Sequence, residues 1–155
     1  MINVQNKSPK ILVIGDLIID HYLWGTSERI SPEAPVPVIS VENESIILGG
    51  AANVVNNLQS LGARVDVLSA IGDCEVSTEM LELLENIKID TNNLVIQKGR
   101  ITSKKSRIIA SQQQIVRFDR ENIDEINIET QDKIIKKYLE IAHSYDCILL
   151  SDYGK

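Results

Sequence analysis

The stretch Gly49-Gly50-Ala51-Ala52-Asn53 opens an apolar-periodic helix that ends near Gly62. Two adjacent glycines carry no side chains where the helix begins, so another group can approach the main chain closely. The first N–H groups of a helix lack partners within it, and the helix dipole makes that end slightly positive. Asn53 adds an amide that donates and accepts hydrogen bonds. The pattern favours a binding corner for a polyhydroxylated or anionic small molecule, although Gly-Gly pairs also occur in tight loops that enter helices.

The composition is that of an ordinary globular domain. The chain has 155 residues, of which 43% are hydrophobic and 25% charged, enough for one domain with a core. A net charge of -6 argues against a general nucleic-acid-binding protein, which needs a basic face. No apolar run approaches the length that spans a membrane, and residues 1–7 lack the apolar core of a signal peptide. We therefore expect a cytoplasmic protein without a nucleic-acid or membrane partner.

Cysteine and histidine residues give no metal or disulfide signal. Cys74 and Cys147 are far apart and are interpreted as buried reduced thiols. His21 and His143 have no spacing partner, so we predict no metal site from them.

Hydrophobic periodicity predicts alternating strands and helices, which favours a parallel sheet with right-handed crossovers. The predicted strands are 11–14, 65–71, 94–96 and 147–150, the last of them buried; the predicted helices are 51–61, 76–87 and 129–143, with Ile135 and Leu139 among the inward positions of the last. A proline-rich flap is predicted between Trp24 and Val41, and a hairpin over 101–119 with its turn at Gln112-Gln113-Gln114.

Two acidic residues follow the first predicted strand, and ligands of open α/β sheets bind beyond the carboxyl ends of strands. Asp16 is interpreted as structural. Asp20 either accepts hydrogen bonds from ligand hydroxyls or is a solvated loop acid, and spacing alone does not separate these alternatives.

Cations on the predicted hairpin are candidates for an anion site. Lys105 and Arg107 share one face of an alternating strand, and Arg117 follows on the return strand. Two cations on one face near a cleft can hold a phosphate. The residues alone favour a solvated strand face over this alternative.

The last residues carry another pair of candidates. Asp152 follows the last predicted strand, and Lys155 would lie over the same edge of the sheet. Either residue could serve a phosphate or a metal ion, or simply begin a loop.

Together these residues resemble the amino-terminal half of a ribokinase-like carbohydrate kinase. Gly49-Gly50-Ala51-Ala52-Asn53, Gly62 and Gly72 match that family's first signature, in which Val55 replaces a usually small residue. Within the family, the heptose 7-phosphate kinases are resembled most closely, in four stretches: Gly15-Asp16 through Asp20, Arg29-Ile30-Ser31-Pro32-Glu33-Ala34-Pro35-Val36-Pro37-Val38, Gln113-Gln114-Ile115-Val116-Arg117-Phe118-Asp119 and Ser151-Asp152-Tyr153-Gly154-Lys155.

The resemblance implies a ribokinase-like α/β fold, a three-layer sandwich with a mostly parallel central sheet and a small β lid, here truncated. Residues 1–155 would form the amino-terminal part of one kinase domain, with lid segments at about 21–47 and 100–119. The lid of this family often also forms a homodimer interface, so a homodimer through the lid is expected.

The resemblance also implies an activity. Heptose 7-phosphate kinases use ATP and Mg²⁺ to phosphorylate the anomeric hydroxyl of D-glycero-D-manno-heptose 7-phosphate, on the route to the ADP-heptose of lipopolysaccharide cores. By position, the expected contacts are Asp20, Gly49, Gly50 and Asn53 with the sugar, and Lys105, Arg107, Gln113 and Arg117 around its phosphate.

The family's second signature, a Gly-Ala-Gly-Asp turn that holds the general base, would lie beyond Lys155. We therefore expect no catalytic base within the chain and no activity from the chain alone. Two alternatives stay open: a kinase for another sugar or a nucleoside, and a non-catalytic module for sugar-phosphate binding or dimerisation.

Overall fold

The computed structural model describes residues 8–154, which form two four-stranded sheets and three α-helices. The strands are β1 (Lys10–Gly15), β2 (Leu17–Ile30), β3 (Pro37–Gly49), β4 (Arg64–Ile71), β5 (Leu94–Ile96), β6 (Ser103–Ala110), β7 (Gln113–Arg120) and β8 (Cys147–Ser151). The helices are α1 (Gly50–Ser60), α2 (Glu75–Asn86) and α3 (Ile128–Ile141), with a short 3₁₀ turn at Ala142–Ser144. Within residues 8–154, no helix is both long and apolar enough to cross a bilayer.

The first sheet is parallel throughout, in the order β5-β4-β1-β8. Its inner strand β1 holds Leu12 and Val13, neither of which has any exposed surface. Continuous apolar runs suit strands that are covered on both faces. This sheet and its helices confirm the predicted α/β class.

Helix α1 packs small side chains against the first sheet. Ala51, Ala52 and Val55 are fully buried. Gly62 follows the helix with a φ of +90°, a conformation that glycine adopts without the penalty of a Cβ atom. The predicted helix end at Gly62 is confirmed, and the tight packing fixes where α1 begins relative to β1.

The second sheet, here called the lid sheet, has the order β3-β2-β6-β7. β2 runs antiparallel to β3 and parallel to β6, and β6 and β7 form an antiparallel hairpin. Its strands lie within 17–49 and 103–120, whereas the expected lid segments were about 21–47 and 100–119. β2 begins earlier than expected because Leu17, Ile18 and Ile19 are buried strand residues directly after Asp16.

The β6–β7 turn lies earlier than predicted. Ser111 and Gln112 have φ values of 51° and 65°, as a two-residue hairpin turn of type I′ requires at both positions. Gln113 and Gln114 already pair with Ala110 and Ile109 as strand residues. The turn prediction at 112–114 was therefore wrong by one residue at its start and two at its end.

Several side chains predicted to be buried are exposed. Ile135 and Leu139 on α3 are 55% and 69% exposed, and Leu150 on β8 is 73% exposed. Cys147 is exposed and Cys74 only partly buried. For Cys147 and Leu150 the prediction was wrong because β8 pairs with β1 on one side only and is an edge strand within residues 8–154. Ile135 and Leu139 lie on a face of α3 that these residues leave uncovered. Periodicity identifies an apolar stripe but not whether the same chain covers it.

Candidate functional site

The start of α1 meets the base of the lid sheet in what we call the glycine corner, formed by Asp20, Gly49, Gly50 and Asn53. Gly49 pairs with Ile18 across the β2–β3 ladder, so Asp20, two residues farther along β2, projects from the same face. A Cβ atom on Gly49 would overlap the Asp20 carboxylate. The Asp20 side chain therefore rests directly on bare backbone.

Gly50 allows the backbone at the start of α1 to pack closely against the backbone of Asp16. It has a φ of +55°, and a Cβ atom there would lie 2.5 Å from the Asp16 carbonyl oxygen. The next N–H, of Ala51, donates to that same oxygen at 2.9 Å. The Ala51 N–H thus has no partner within α1, as expected for the first turn, but the backbone at the end of β1 already satisfies it.

Asn53 completes the corner from the first turn of α1. Its side chain is exposed. Side chains on a helix lean toward its N-terminus, so we expect the Asn53 amide to point toward the Gly49–Gly50 turn. The structure thus brings the Asp20 carboxylate against bare backbone at the start of α1, four residues before Asn53 in the chain, an arrangement suited to a ligand with several hydroxyl groups.

Arg107 fixes the Asp20 carboxylate. Its Nη1 donates to Asp20 Oδ1 at 2.5 Å, and both side chains are about one-fifth exposed, at 20% and 21%. The guanidinium carbon also lies 5.2 Å from the centre of the Tyr22 ring. Arg107, predicted as a phosphate contact, is therefore engaged with the predicted hydroxyl acceptor.

Lys105 and Arg117 lie on the same face and also have carboxylate partners. Lys105 Nζ lies 3.7 Å from Asp119 Oδ2 and 3.9 Å from Glu121 Oε2. Arg117 donates two hydrogen bonds to Asp119, of 2.8 and 2.6 Å. The Arg117 guanidinium lowers the pKa of Asp119 to about 2, so this carboxylate stays charged near neutral pH.

The predicted phosphate cations therefore belong to a balanced cluster of three cations and three carboxylates. Asp119 and Glu121 were not predicted as their partners, although opposite charges on neighbouring strands often pair. Tyr22 was also missed, although it follows Asp20 by two residues and thus shares its face of β2.

Gln113 does not join this cluster. It pairs with Ala110, three residues beyond Arg107 on β6, so the register places it on the opposite face near the hairpin turn. The expectation that Gln113 lies beside Arg117 was wrong, because a β-bulge leaves Ile115 without a partner on β6 and reverses the alternation between Arg117 and Gln113.

Asp152 lies at the carboxyl end of β8, beside the end of β1. The Tyr153 N–H donates to Asp16 Oδ2 at 2.7 Å, and the Gly154 N–H donates to Asp152 Oδ1 at 2.7 Å. Asp152 thus stabilises its own turn, and Lys155 lies outside the described residues. In the part of the chain that the structure describes, no group of three or more His, Cys, Asp or Glu side chains could hold a metal ion. These residues therefore do not fit a Mg²⁺ site on their own.

Comparison with known proteins places the chain among sugar kinases. Residues 8–151 match the family model described as pfkB family carbohydrate kinase. "Bifunctional protein HldE" of Aliarcobacter butzleri is 59% identical over 150 residues, which are 97% of this chain and 32% of that protein. The protein of the same name from Sulfurimonas denitrificans is 52% identical over 152 residues, 98% of this chain and 32% of that protein. The chain thus spans about a third of the length of these relatives.

Solved structures share the fold at low sequence identity. A carbohydrate kinase from Agrobacterium tumefaciens has a TM-score of 0.68 at 18% identity, covering 92% of this chain and 45% of that one. Arabidopsis thaliana ribokinase, solved with ribose and ATP, has a TM-score of 0.61 at 14% identity, covering 93% and 45%. These likenesses confirm the predicted ribokinase-like fold. With the family match across nearly all described residues, they establish that the chain belongs to the pfkB family of carbohydrate kinases.

Proposed function

We propose that this chain is the sugar-binding, amino-terminal part of a kinase that transfers phosphate from ATP to the anomeric hydroxyl of D-glycero-D-manno-heptose 7-phosphate, a step toward ADP-heptose. The observation that carries the proposal is the Asp20 carboxylate resting on Gly49, directly before the helix that carries Asn53. The four stretches that resemble heptose 7-phosphate kinases and the relatives named HldE support this substrate over other sugars.

In this proposal the glycine corner orients the sugar. Asp20 accepts hydrogen bonds from sugar hydroxyls, and Asn53 can donate to one hydroxyl and accept from another. Arg107 holds the Asp20 carboxylate in one position, so the side chain loses little conformational entropy when substrate binds. ATP, when bound, supplies the transferred phosphoryl group. The general base and most of the nucleotide site are proposed to lie in the part of the kinase fold outside this chain.

Lys105 is our candidate for the substrate phosphate. Its two carboxylate contacts, 3.7 and 3.9 Å, are longer than hydrogen bonds, whereas Arg107 and Arg117 make contacts of 2.5 to 2.8 Å. Lys105 can therefore turn toward a phosphate at the smallest loss of existing interactions.

A homodimer through the lid sheet is proposed from its exposed apolar side chains. Residues of this kind, apart from Trp24, lie on three of its strands and in the β2–β3 loop: Ile30, Val36, Val41, Ile47, Ile115, Val116 and Phe118. Side chains of this type concentrated on one small sheet mark an interaction surface.

One observation favours a second candidate, a kinase for an unphosphorylated sugar or a nucleoside. Each cation predicted for the substrate phosphate already has a carboxylate partner. Such a kinase would prefer a sugar without phosphate, which separates the two candidates in one assay.

The proposal is tested by measuring ADP release with ATP, Mg²⁺ and heptose 7-phosphate. We expect no turnover from residues 1–155 and turnover from a polypeptide that continues through the whole kinase domain. In that polypeptide, Asp20→Asn should lower kcat/KM about 10- to 100-fold, because a hydrogen bond to a charged acceptor is worth about 1.5–3 kcal/mol.

Asp132→Asn is the matched control, since Asp132 is an exposed residue on α3, and it should leave kcat/KM unchanged. Turnover by residues 1–155 would refute the division of labour proposed here. A higher kcat/KM for the heptose without phosphate would favour the second candidate.

A further inference from the structure

Two stacked aromatic side chains continue the Asp20 face of the lid sheet. Tyr22 and Trp24 follow Asp20 at alternate positions of β2 and therefore project from the same side. Their ring centres are 6.0 Å apart, and their planes differ by 21°. Aromatic residues make up only 4% of the sequence, and Trp24 is its single tryptophan.

The aromatic pair is joined to the glycine corner through Arg107. The Arg107 guanidinium contacts the Tyr22 ring and the Asp20 carboxylate at once. At about 3.4 Å per strand residue, Tyr22 lies about 7 Å and Trp24 about 14 Å from Asp20 along β2. Tyr22 is therefore within one sugar length of Asp20, and Trp24 backs it from the outer side.

Both rings of the pair keep surface that is exposed to solvent. Tyr22 is partly buried, whereas Trp24 is 42% exposed. The face of an aromatic ring is electron-rich and attracts the weakly positive C–H groups of a carbon chain, while its apolar surface gains by leaving water. Lys105 projects from the same face at the level of Asp20, so a phosphorylated end could lie near the rings.

We propose that Tyr22, backed by Trp24, packs against the carbon chain of the substrate beyond the hydroxyls held at Asp20. The inference rests on the proposed sugar-kinase function and adds a determinant of substrate length. A seven-carbon sugar phosphate reaches the Tyr22 ring, whereas a six-carbon sugar phosphate bound at the same corner covers less of it.

The single tryptophan makes the contact measurable in the chain itself. Heptose 7-phosphate is titrated into the protein while Trp24 emission is recorded, and binding heat is measured in parallel by calorimetry. We expect a saturable change in emission with the same Kd as the calorimetric titration.

Variants of Tyr22 separate a contact from a merely structural role. Tyr22→Leu should weaken binding of the seven-carbon sugar phosphate about tenfold and that of a six-carbon sugar 6-phosphate much less. Tyr22→Phe keeps the ring and should retain the preference. Tyr138→Leu is the matched control, because it makes the same change on α3, outside the lid sheet, and it should change neither Kd.

Each other outcome overturns the inference in a distinguishable way. Binding heat without an emission change, or an equal loss for both sugars in Tyr22→Leu, leaves the proposed function intact and removes the length determinant. Emission that responds to dilution of the protein but not to sugar would assign Trp24 to a subunit interface instead. No binding heat with any sugar phosphate would overturn the proposed function and this inference with it.

Discussion

Gly50→Ala is expected to lower the free energy of unfolding by about 3 kcal/mol. Two costs combine at this position. The φ of +55° is unfavourable for a residue with a Cβ atom, and that atom would lie 2.5 Å from the Asp16 carbonyl oxygen and 2.9 Å from Ile18 Cγ1. The carbonyl oxygen belongs to the backbone and already accepts the Ala51 N–H, so it cannot move away without breaking the junction of β1 and α1.

Gly62→Ala is the matched control for this effect. Gly62 also has a positive φ, of +90°, but no atom lies within 4 Å of the position its Cβ would take. The free energy of unfolding of Gly62→Ala should therefore fall only by the conformational cost, about 1 kcal/mol. Equilibrium unfolding in urea, followed by circular dichroism, measures both values. Equal losses in the two variants would contradict the close packing described at Gly50.

Gly49→Ala is expected to act on binding rather than on stability. The backbone of Gly49, with φ -121° and ψ 174°, suits alanine, so the free energy of unfolding should change by less than about 1 kcal/mol. The new Cβ would overlap the Asp20 carboxylate, which must shift from its present position. A misplaced hydroxyl acceptor should weaken heptose 7-phosphate binding about 10- to 100-fold.

Calorimetric titration gives the affinity of Gly49→Ala, and Gly62→Ala serves again as the control. The control changes the far end of α1 and should bind as the wild type does. An unchanged affinity in Gly49→Ala would show that the Asp20 carboxylate does not have to occupy this position for substrate to bind.

The sequence predicts the framework of the corner well because its signals are local. The apolar run after Lys10 and the glycines at the start of α1 each act through their own backbone or through burial. The class of fold, the start of α1 and its end at Gly62 follow from them directly.

Other features depend on contacts between distant segments, which a single sequence does not reveal. The partners of Lys105 come from β7 and the segment after it, and they follow only from the β6–β7 register. That register depends on a turn at 111–112, one residue earlier than the glutamine run suggests, and on a β-bulge at Ile115, which places Gln113 on the opposite face. A shift of one residue reverses every side chain of a strand.

The exposure of α3 and β8 has a different cause. The apolar stripe that contains Leu139 is present in the sequence as predicted, but nothing in residues 8–154 covers it. The match covers 45% of each of the two solved sugar kinases. We infer that other parts of the kinase fold pack against the exposed stripe of α3 and the free edge of β8.

The central claim is that a sugar phosphate binds at the meeting point of β2, β3 and α1. Nuclear magnetic resonance of the ¹⁵N-labelled chain tests it most directly, since the backbone N–H groups of Gly49 and Gly50 and the side-chain amide of Asn53 each give their own signal. On addition of heptose 7-phosphate we predict saturable shifts of these three signals, while the Gly62 N–H stays in place. Shifts confined to other parts of the chain, with these three signals unmoved, would contradict the account.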